Sequence, residues 1–499
     1  MSRKKKKVSR ESKRRHPPGD WPGAARDAGK RARSSPSPPR RRRPQLVVVA
    51  NRLPLRRVLR GGSYEWEAST GGLVTAVLPV LRRYGGCWVG WSGGNTRGPR
   101  PFVHAGVRIQ PISLTEREVE TFYQGFANRT LWPLYHHAIR TPEFQRQYWR
   151  PFVEINRRYA RAAVRAASRD DIIWIHDYHL QLVPHMVREL RPKARIGFFL
   201  HIPFPPEELF AWLPWRQWIL HGLLGADLVG FQTPGDAQNF ARVARRYTSA
   251  EGTDSELRFR DRTVRVGVFP ISIDFGAFEK LAMQPSVVRA AREIRQQLGT
   301  ERKLILSVDR LDYTKGIDAR LHAFKELLQR KTITVDDCVL VQIAVPTRET
   351  VKEYIDIRES IERTVARING DFSQPGHVAV HYFRRSIPRE QLVAYYRAAD
   401  VMLITPLRDG MNLVAKEYVA TRVDNTGALV LSEFAGAARE LRRALLVNPH
   451  DIDTMGTTLA YALKMPAQEA RRRMAILRMA VRRANVYAWA DDFLEALLP

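Results

Sequence analysis

The chain has 499 residues, 44% of them hydrophobic, with 31 Gly and 31 Pro; that is enough for two or three domains with proper cores and has an ordinary globular composition. No apolar run is long enough to span a bilayer, and no apolar segment follows the positive N-terminus as a secretory signal requires. A net charge of +31 points first to a nucleic-acid binder, but it is unevenly spread: residues 1–44 hold 17 Lys/Arg against 3 Asp/Glu, and the remainder 65 against 48.

Residues 1–44 are rich in Pro, Ser and Gly with almost no aliphatic side chains, so the segment reads as a disordered basic tail. It can hold polyanions by charge alone, or be a solvated tail with no dedicated partner. From Gln45 the pattern changes. "QLVVVANR" reads as a short buried strand, and "GGLVTAVLPVLRRY" behind it has helical spacing. Strand-like runs recur as "DIIWIHDYH", "RIGFFLHI", "DLVGFQT" and "TVRVGVFP", separated by helix-like stretches such as "FVEINRRYARAAVRAA" and "PGDAQNFARVARRY". Cys87 and Cys338 sit beside apolar stretches and are expected as free thiols, which fits a reducing cytoplasmic location.

After Pro270 the alternation begins again with "KLILSVDR", "CVLVQIAVP", "VMLITP", "ALVLSE" and "ALLVNP", interleaved with helices such as "GIDARLHAFKELLQRK" and "REQLVAYYRAAD". The closing stretch "RRRMAILRMAVRRANVYAWADDFLEALL" is expected to be helical. Apolar strands alternating with helices mean parallel sheets covered on both faces. The expected architecture is α/β: two doubly wound domains, 45–270 and 271–480, facing each other across a cleft. Residues 481–499 would form a helix packing back across both. Ligands in such folds sit beyond the carboxyl ends of the strands, so the polar residues there carry the chemistry.

In "VMLITPLRDGMNLVAKEY", Asp409 stands at the mouth of a strand, where a carboxylate can accept hydrogen bonds from sugar hydroxyls. The helix start that follows offers unpaired N–H groups and a dipole suited to a diphosphate. Glu417, inside that helix, can grip a vicinal diol such as a ribose; the plainer alternative is a capping loop with a solvated Glu. In "ILSVDRLDYTKGID", Arg310 and Lys315 place two cations at one strand end, able to neutralise a departing diphosphate without a metal, or to form surface ion pairs. Arg52 and Arg348 suit bidentate capture of a phosphate monoester. Tyr123 and Trp132 could wall a sugar, although such aromatics are more often core.

Asp177 and His201 each follow an apolar strand. His176, Asp177 and His179 match no strong metal-binding spacing. "DIDTM" at 451–455 resembles a phosphatase loop, but Asp451 reads better as a helix cap. No Walker loop and no Gly-x-Ser-x-Gly elbow is present.

"QLVVVANRLP", "STGGLVTAVLPVL", "GFANRTLWPLYH", "WIHDYHLQLVP", "GFFLHIPFPP", "GADLVGFQT", "VDRLDYTKGI" and "TPLRDGMNLVAKEYVA" resemble the trehalose-6-phosphate synthases, in that family's order and over nearly everything from residue 45 onward. The resemblance implies the GT-B fold of two facing Rossmann-like domains. It also implies retaining transfer of glucose from a nucleotide-glucose, UDP-glucose first and ADP- or GDP-glucose as options, to glucose 6-phosphate. For the donor it implies Gly71 and Gly72 near the diphosphate, with Arg310 and Lys315 against its charge. Asp409 would meet the glucose hydroxyls and His201 the 6-hydroxyl. Backbone of Leu413, Val414, Ala415 and Lys416 would meet the diphosphate, Glu417 the ribose, and Ile387 the base through its main chain.

For the acceptor the resemblance implies Arg52 and Arg348 on the phosphate, with Tyr123, Trp132 and Asp177 on the sugar. Trp132 and Ile202 would select the anomer. Retention usually calls for a carboxylate nucleophile; the family instead implies same-face attack, the leaving diphosphate helping to take the acceptor proton. No metal or other cofactor is expected. A homo-oligomer, a tetramer among its forms, is expected. The rival readings are a relative using another phosphorylated acceptor, such as a polyol phosphate, and a nucleic-acid binder acting through the tail.

Overall fold

The computed structural model describes residues 45–498 apart from 61–62, 69–70, 94–99 and 350, so the basic segment 1–44 lies outside the described residues. The apolar runs form two sheets. The first has ten strands, with a parallel centre ordered Arg262–Val268, Leu228–Phe231, Arg195–Phe199, Ile172–His176, Leu46–Arg52, Gly86–Trp91, Val107–Ile112. Antiparallel edge strands at Glu251–Gly252, Glu256–Phe259 and Phe102–His104, unanticipated from the sequence, blunt its two ends. The second sheet is parallel throughout: Val380–Phe383, Cys338–Val345, Lys303–Arg310, Val401–Ile404, Ala428–Ser432, Leu445–Val447.

Period-two patterning explains why both faces are dry. Val47 and Val49 enter one core with helix Arg146–Ala166, while Leu46, Val48 and Ala50 enter another. In the second sheet Leu304 and Leu306 join that latter core, whereas Ile305 faces a third on the opposite side. One core is therefore shared by the two lobes. Cys87 and Cys338 are free and buried. Among the described residues no helix is long and apolar enough to cross a membrane.

The closing stretch is helical, in two pieces. It breaks into Ala467–Arg483 and Val486–Leu497 because Asn485 turns its side chain onto the N–H groups of Tyr487 and Ala488, capping a new helix. The first piece packs on helix Leu413–Thr421 of the second lobe. The second returns to the first lobe, where Trp489 and Phe493 lie 5.0 and 4.7 Å from the ring of Trp174.

The chain thus crosses between lobes twice, and the crossings are bonded together. Val486 donates its N–H to Ile273 O at 3.0 Å, and Trp489 Nε1 donates to Phe269 O at 3.1 Å. Ile271 is gripped from both lobes: its N–H donates to Gln232 Oε1 at 2.9 Å, and its carbonyl accepts from Lys416 Nζ at 2.9 Å.

Candidate active site

The carboxyl ends of both sheets meet. Arg52 closes strand Leu46–Arg52 and lies 3.8 Å from the ring centre of Trp91 and 5.1 Å from that of Tyr123. Gly93 makes room for it: with φ 88, a Cβ there would stand 2.6 Å from a guanidinium nitrogen of Arg52. Tyr123 belongs to a π-helix, Val119–Leu131, a geometry the sequence does not announce and one common at functional sites. Its ring stacks on His179 at 5.7 Å. Trp132 follows directly after the π-helix.

Trp132 is where the lobes come together. Its ring is faced by two guanidinium groups of the second lobe, Arg348 at 4.3 Å and Arg310 at 5.2 Å. His136 packs against it at 4.1 Å. Burial pushes the His136 imidazole down to about 3, so it is neutral; with Nδ1 bonded to Trp132 O at 2.8 Å, its Nε2 is a lone pair with no partner among the described residues.

Asp177 follows strand Ile172–His176 with φ 77, an uncommon conformation for a residue with a side chain. Burial pushes its carboxyl up to about 6, despite the hydrogen bonds it accepts from backbone N–H groups of Tyr178 and His201. His201, beyond strand Arg195–Phe199, contacts His176 Nδ1 through Nε2 at 3.1 Å, and burial pushes it down to about 3. Among the described residues no group of three His, Cys, Asp or Glu is arranged to hold a metal.

In the second lobe, Arg310 ends strand Lys303–Arg310, and the 3₁₀ turn Tyr313–Lys315 carries Lys315 to Asp409, with Nζ to Oδ2 at 2.7 Å. Burial would raise the Asp409 carboxyl, but Lys315 holds it below the ordinary range. Lys315 and Asp409, expected from the sequence to make separate contacts, form an ion pair with Asn412 Nδ2 as a third member at 3.1 Å from Asp409 Oδ2. Asn412 also caps helix Leu413–Thr421, accepting the N–H of Ala415. In that geometry the Lys416 N–H turns into the helix. Leu413 and Val414 are then the N–H groups of this turn best placed for an anion. The Lys416 side chain points elsewhere, to Ile271 and Glu440.

Glu417 accepts the Tyr396 hydroxyl at 3.0 Å, and burial raises its carboxyl. Gly71 caps helix Gly72–Tyr84, and Gly72 abuts Leu413 across the cleft. Gly410 lies against the backbone of His201 and Ile202, also across the cleft. Ile387 packs at the edge of the shared core, before helix Arg389–Ala398.

Three partners of these residues escaped the sequence reading. Asp312, Tyr178 and Tyr354 all bond Arg348. The signal for Asp312 was its place between Arg310 and Lys315. A cavity of about 400 Å³ has Asp312, Tyr313 and Gly316 on its wall with Arg140, His322 and His450, but none of Arg52, Asp177, His201, Arg310, Lys315, Asp409 or Glu417 lines it.

Asp177 yields a test. An acid whose folded pKa is raised lends stability below its unfolded value, and loses it as pH rises toward about 6. Asp177→Asn is expected to be more stable than wild type at pH 7 by about 3 kcal/mol, the difference narrowing toward pH 4. Its turnover should fall at least tenfold. Urea unfolding at both pH values reads this; a variant no more stable than wild type at pH 7 would contradict it.

Two doubly wound lobes, with cations and carboxylates gathered where their strand ends face each other, are the GT-B architecture of a glycosyltransferase. Residues 44–498 match glycosyltransferase family 20, and the chain belongs to that family. A trehalose-6-phosphate synthase of Mycolicibacterium smegmatis is 53% identical over 463 residues, covering 91% of this chain and 92% of the relative. An α,α-trehalose-phosphate synthase (UDP-forming) from Burkholderia xenovorans, solved in complex with glucose-6-phosphate, superposes with a TM-score of 0.84 at 37% identity, covering 91% of this chain and 99% of that one. An E. coli structure bound with UDP-2-fluoro glucose gives a TM-score of 0.82 at 35% identity, covering 91% and 99%.

Proposed function

We propose that this enzyme transfers glucose from UDP-glucose to glucose 6-phosphate with retention, giving α,α-trehalose 6-phosphate and UDP. The observation that carries the reading is the meeting of Arg348 and Arg310 over one ring, that of Trp132. Arg52 and Arg348 take the acceptor phosphate in bidentate fashion, and Tyr123, Trp132 and Asp177 position its sugar. Across the cleft, Leu413 and Val414 N–H groups, Gly71 and Gly72 receive the diphosphate, with Ala415 and Lys416 of the same turn behind them. Glu417 takes the ribose and Ile387 the base through its main chain. Asp409 and His201 hold the glucose, and Ile202 with Trp132 restricts the acceptor anomer.

Retention follows from attack on the same face that the diphosphate leaves. The acceptor hydroxyl forms its bond to the donor's anomeric carbon as the bond to the diphosphate breaks, and its proton passes to the leaving diphosphate. Arg310 and Lys315 stabilise the charge that develops there. No protein carboxylate is needed as nucleophile, so Asp409 positions and does not attack. Closure of bodies 45–270 and 271–480, with 481–499 strapping one to the other, excludes water and limits donor hydrolysis. Assembly as a homo-oligomer, a cytoplasmic site of action and polyanion binding by segment 1–44 belong to the same proposal.

A coupled assay of nucleoside diphosphate release, with UDP-, ADP- and GDP-glucose against glucose 6-phosphate and a polyol phosphate, tests it. Release at saturating glucose 6-phosphate should exceed release without acceptor by at least 10²-fold, the scale set by positioning two reactants. Equal release with the polyol phosphate would overturn the acceptor assignment.

A further inference from the structure

Asp312 is buried, with a side chain 0% exposed, between the groups assigned above to two different substrates. Its two oxygens have divided tasks. Oδ2 receives Arg348 Nη1 at 3.1 Å and the Tyr354 hydroxyl at 3.1 Å. Oδ1 receives the Thr314 N–H at 3.0 Å and the Thr314 hydroxyl at 2.9 Å, pinning the 3₁₀ turn that delivers Lys315 to Asp409. The Asp312 carbonyl accepts the Lys315 N–H at 3.0 Å as well. Arg348, at φ 49, holds an unfavourable backbone conformation and is fixed there by Asp312, Tyr354 and Tyr178.

A carboxylate inside a site for anions opposes substrate charge, so its presence needs a reason. Three cations, Arg310, Lys315 and Arg348, act on this one carboxylate strongly enough to keep it ionised against burial. Without substrate those cations repel one another in a desolvated space, and long cationic side chains have other rotamers to escape into. A single rigid acid that bonds one of them and the backbone turn of another holds both where the reaction needs them.

We propose that Asp312 is a positioning residue that couples the acceptor and donor sites: through Oδ2 it orients Arg348 for the acceptor phosphate, and through Oδ1 it sets Lys315 for the donor diphosphate. The inference rests on the glucosyl-transfer reading. It differs from it by naming one side chain on which both substrates depend and which touches neither.

Three variants separate the tasks. Asp312→Asn keeps the shape and an acceptor for Thr314 but loses the charge, and presents an amide N–H to Arg348 and Tyr354. It is expected to raise the KM for glucose 6-phosphate at least tenfold, weaken UDP binding measured by calorimetry severalfold, and lower kcat about tenfold. Tyr354→Phe should raise the glucose 6-phosphate KM and leave the Kd of UDP unchanged; Thr314→Val should do the reverse. An Asp312→Asn protein that unfolds at the wild-type temperature yet changes only one substrate, or neither, overturns the coupling. If Asp312→Asn does not fold, the opposite effects of the other two variants decide, and identical or absent effects overturn it. Wild-type protein that releases no UDP in the presence of glucose 6-phosphate would instead defeat the transfer reading, a result visible before any variant is made.

Discussion

Lys315→Ala is expected to lower kcat by about 10²–10³-fold, the scale of losing one preorganised charge from a transition-state site. The Lys315 side chain is 9% exposed and its ammonium sits 2.7 Å from Asp409, so truncation removes more than one charge. The remaining carboxylate, its side chain 16% exposed, is left largely desolvated without its counter-ion, which destabilises a protein by up to about 3–5 kcal/mol unless the acid takes up a proton. Two defects are therefore mixed in this variant, and a companion separates them. Lys315→Met combined with Asp409→Asn removes both charges at similar volume; it should recover much of the lost stability while staying as inactive as Lys315→Ala. Calorimetric unfolding and single-turnover UDP release measure the two effects. Wild-type turnover in Lys315→Ala would remove Lys315 from the chemistry.

Gly410→Ala is the second large effect. A Cβ at this position would lie 2.2 Å from His201 O and 3.0 Å from Ile202 Cα, backbone atoms of the opposite lobe that cannot rotate away. An ordinary contact needs more than 3.4 Å, so the lobes must part by about an ångström beside Asp409 and His201. A misplacement of that size costs on the order of 10²-fold in rate. The interior of each lobe is untouched, but Gly71 and Gly72 of the first lobe share the diphosphate with Leu413 and Val414 of the second, so UDP binding should weaken by much less than kcat falls. Steady-state kinetics with UDP calorimetry will read the difference. An alanine variant with unaltered kcat would show that turnover does not pass through this contact.

Much of the architecture was legible because parallel strands buried on both faces advertise themselves. "LVVVA" and "LILSV" have no polar face to offer water, and the residues that follow each run mark the ends where ligands gather. Arg52, Asp177, His201, Arg310 and Asp409 were found by that rule, and the structure places all of them at facing strand ends. What the sequence hid was partnership over long separations. Lys315 and Asp409 are 94 residues apart, and Arg348 and Tyr178 are 170 apart; no local pattern announces either bond. The π-helical winding of Val119–Leu131 was equally silent, since it depends on neighbours and not on a period in its own residues. The break at Asn485 was readable in principle: an Asn inside a helical pattern, with its side chain free to cap, is a stop and a start together.

The two neighbouring passages of chain between the lobes, tied by the Val486 to Ile273 and Trp489 to Phe269 bonds, have a mechanical meaning. A door hung on two adjacent pins swings about the line through them and resists both sliding and spinning. Were the two bodies to open, these passages would confine the motion to rotation about the line through them, with the Ile271 peptide beside that line.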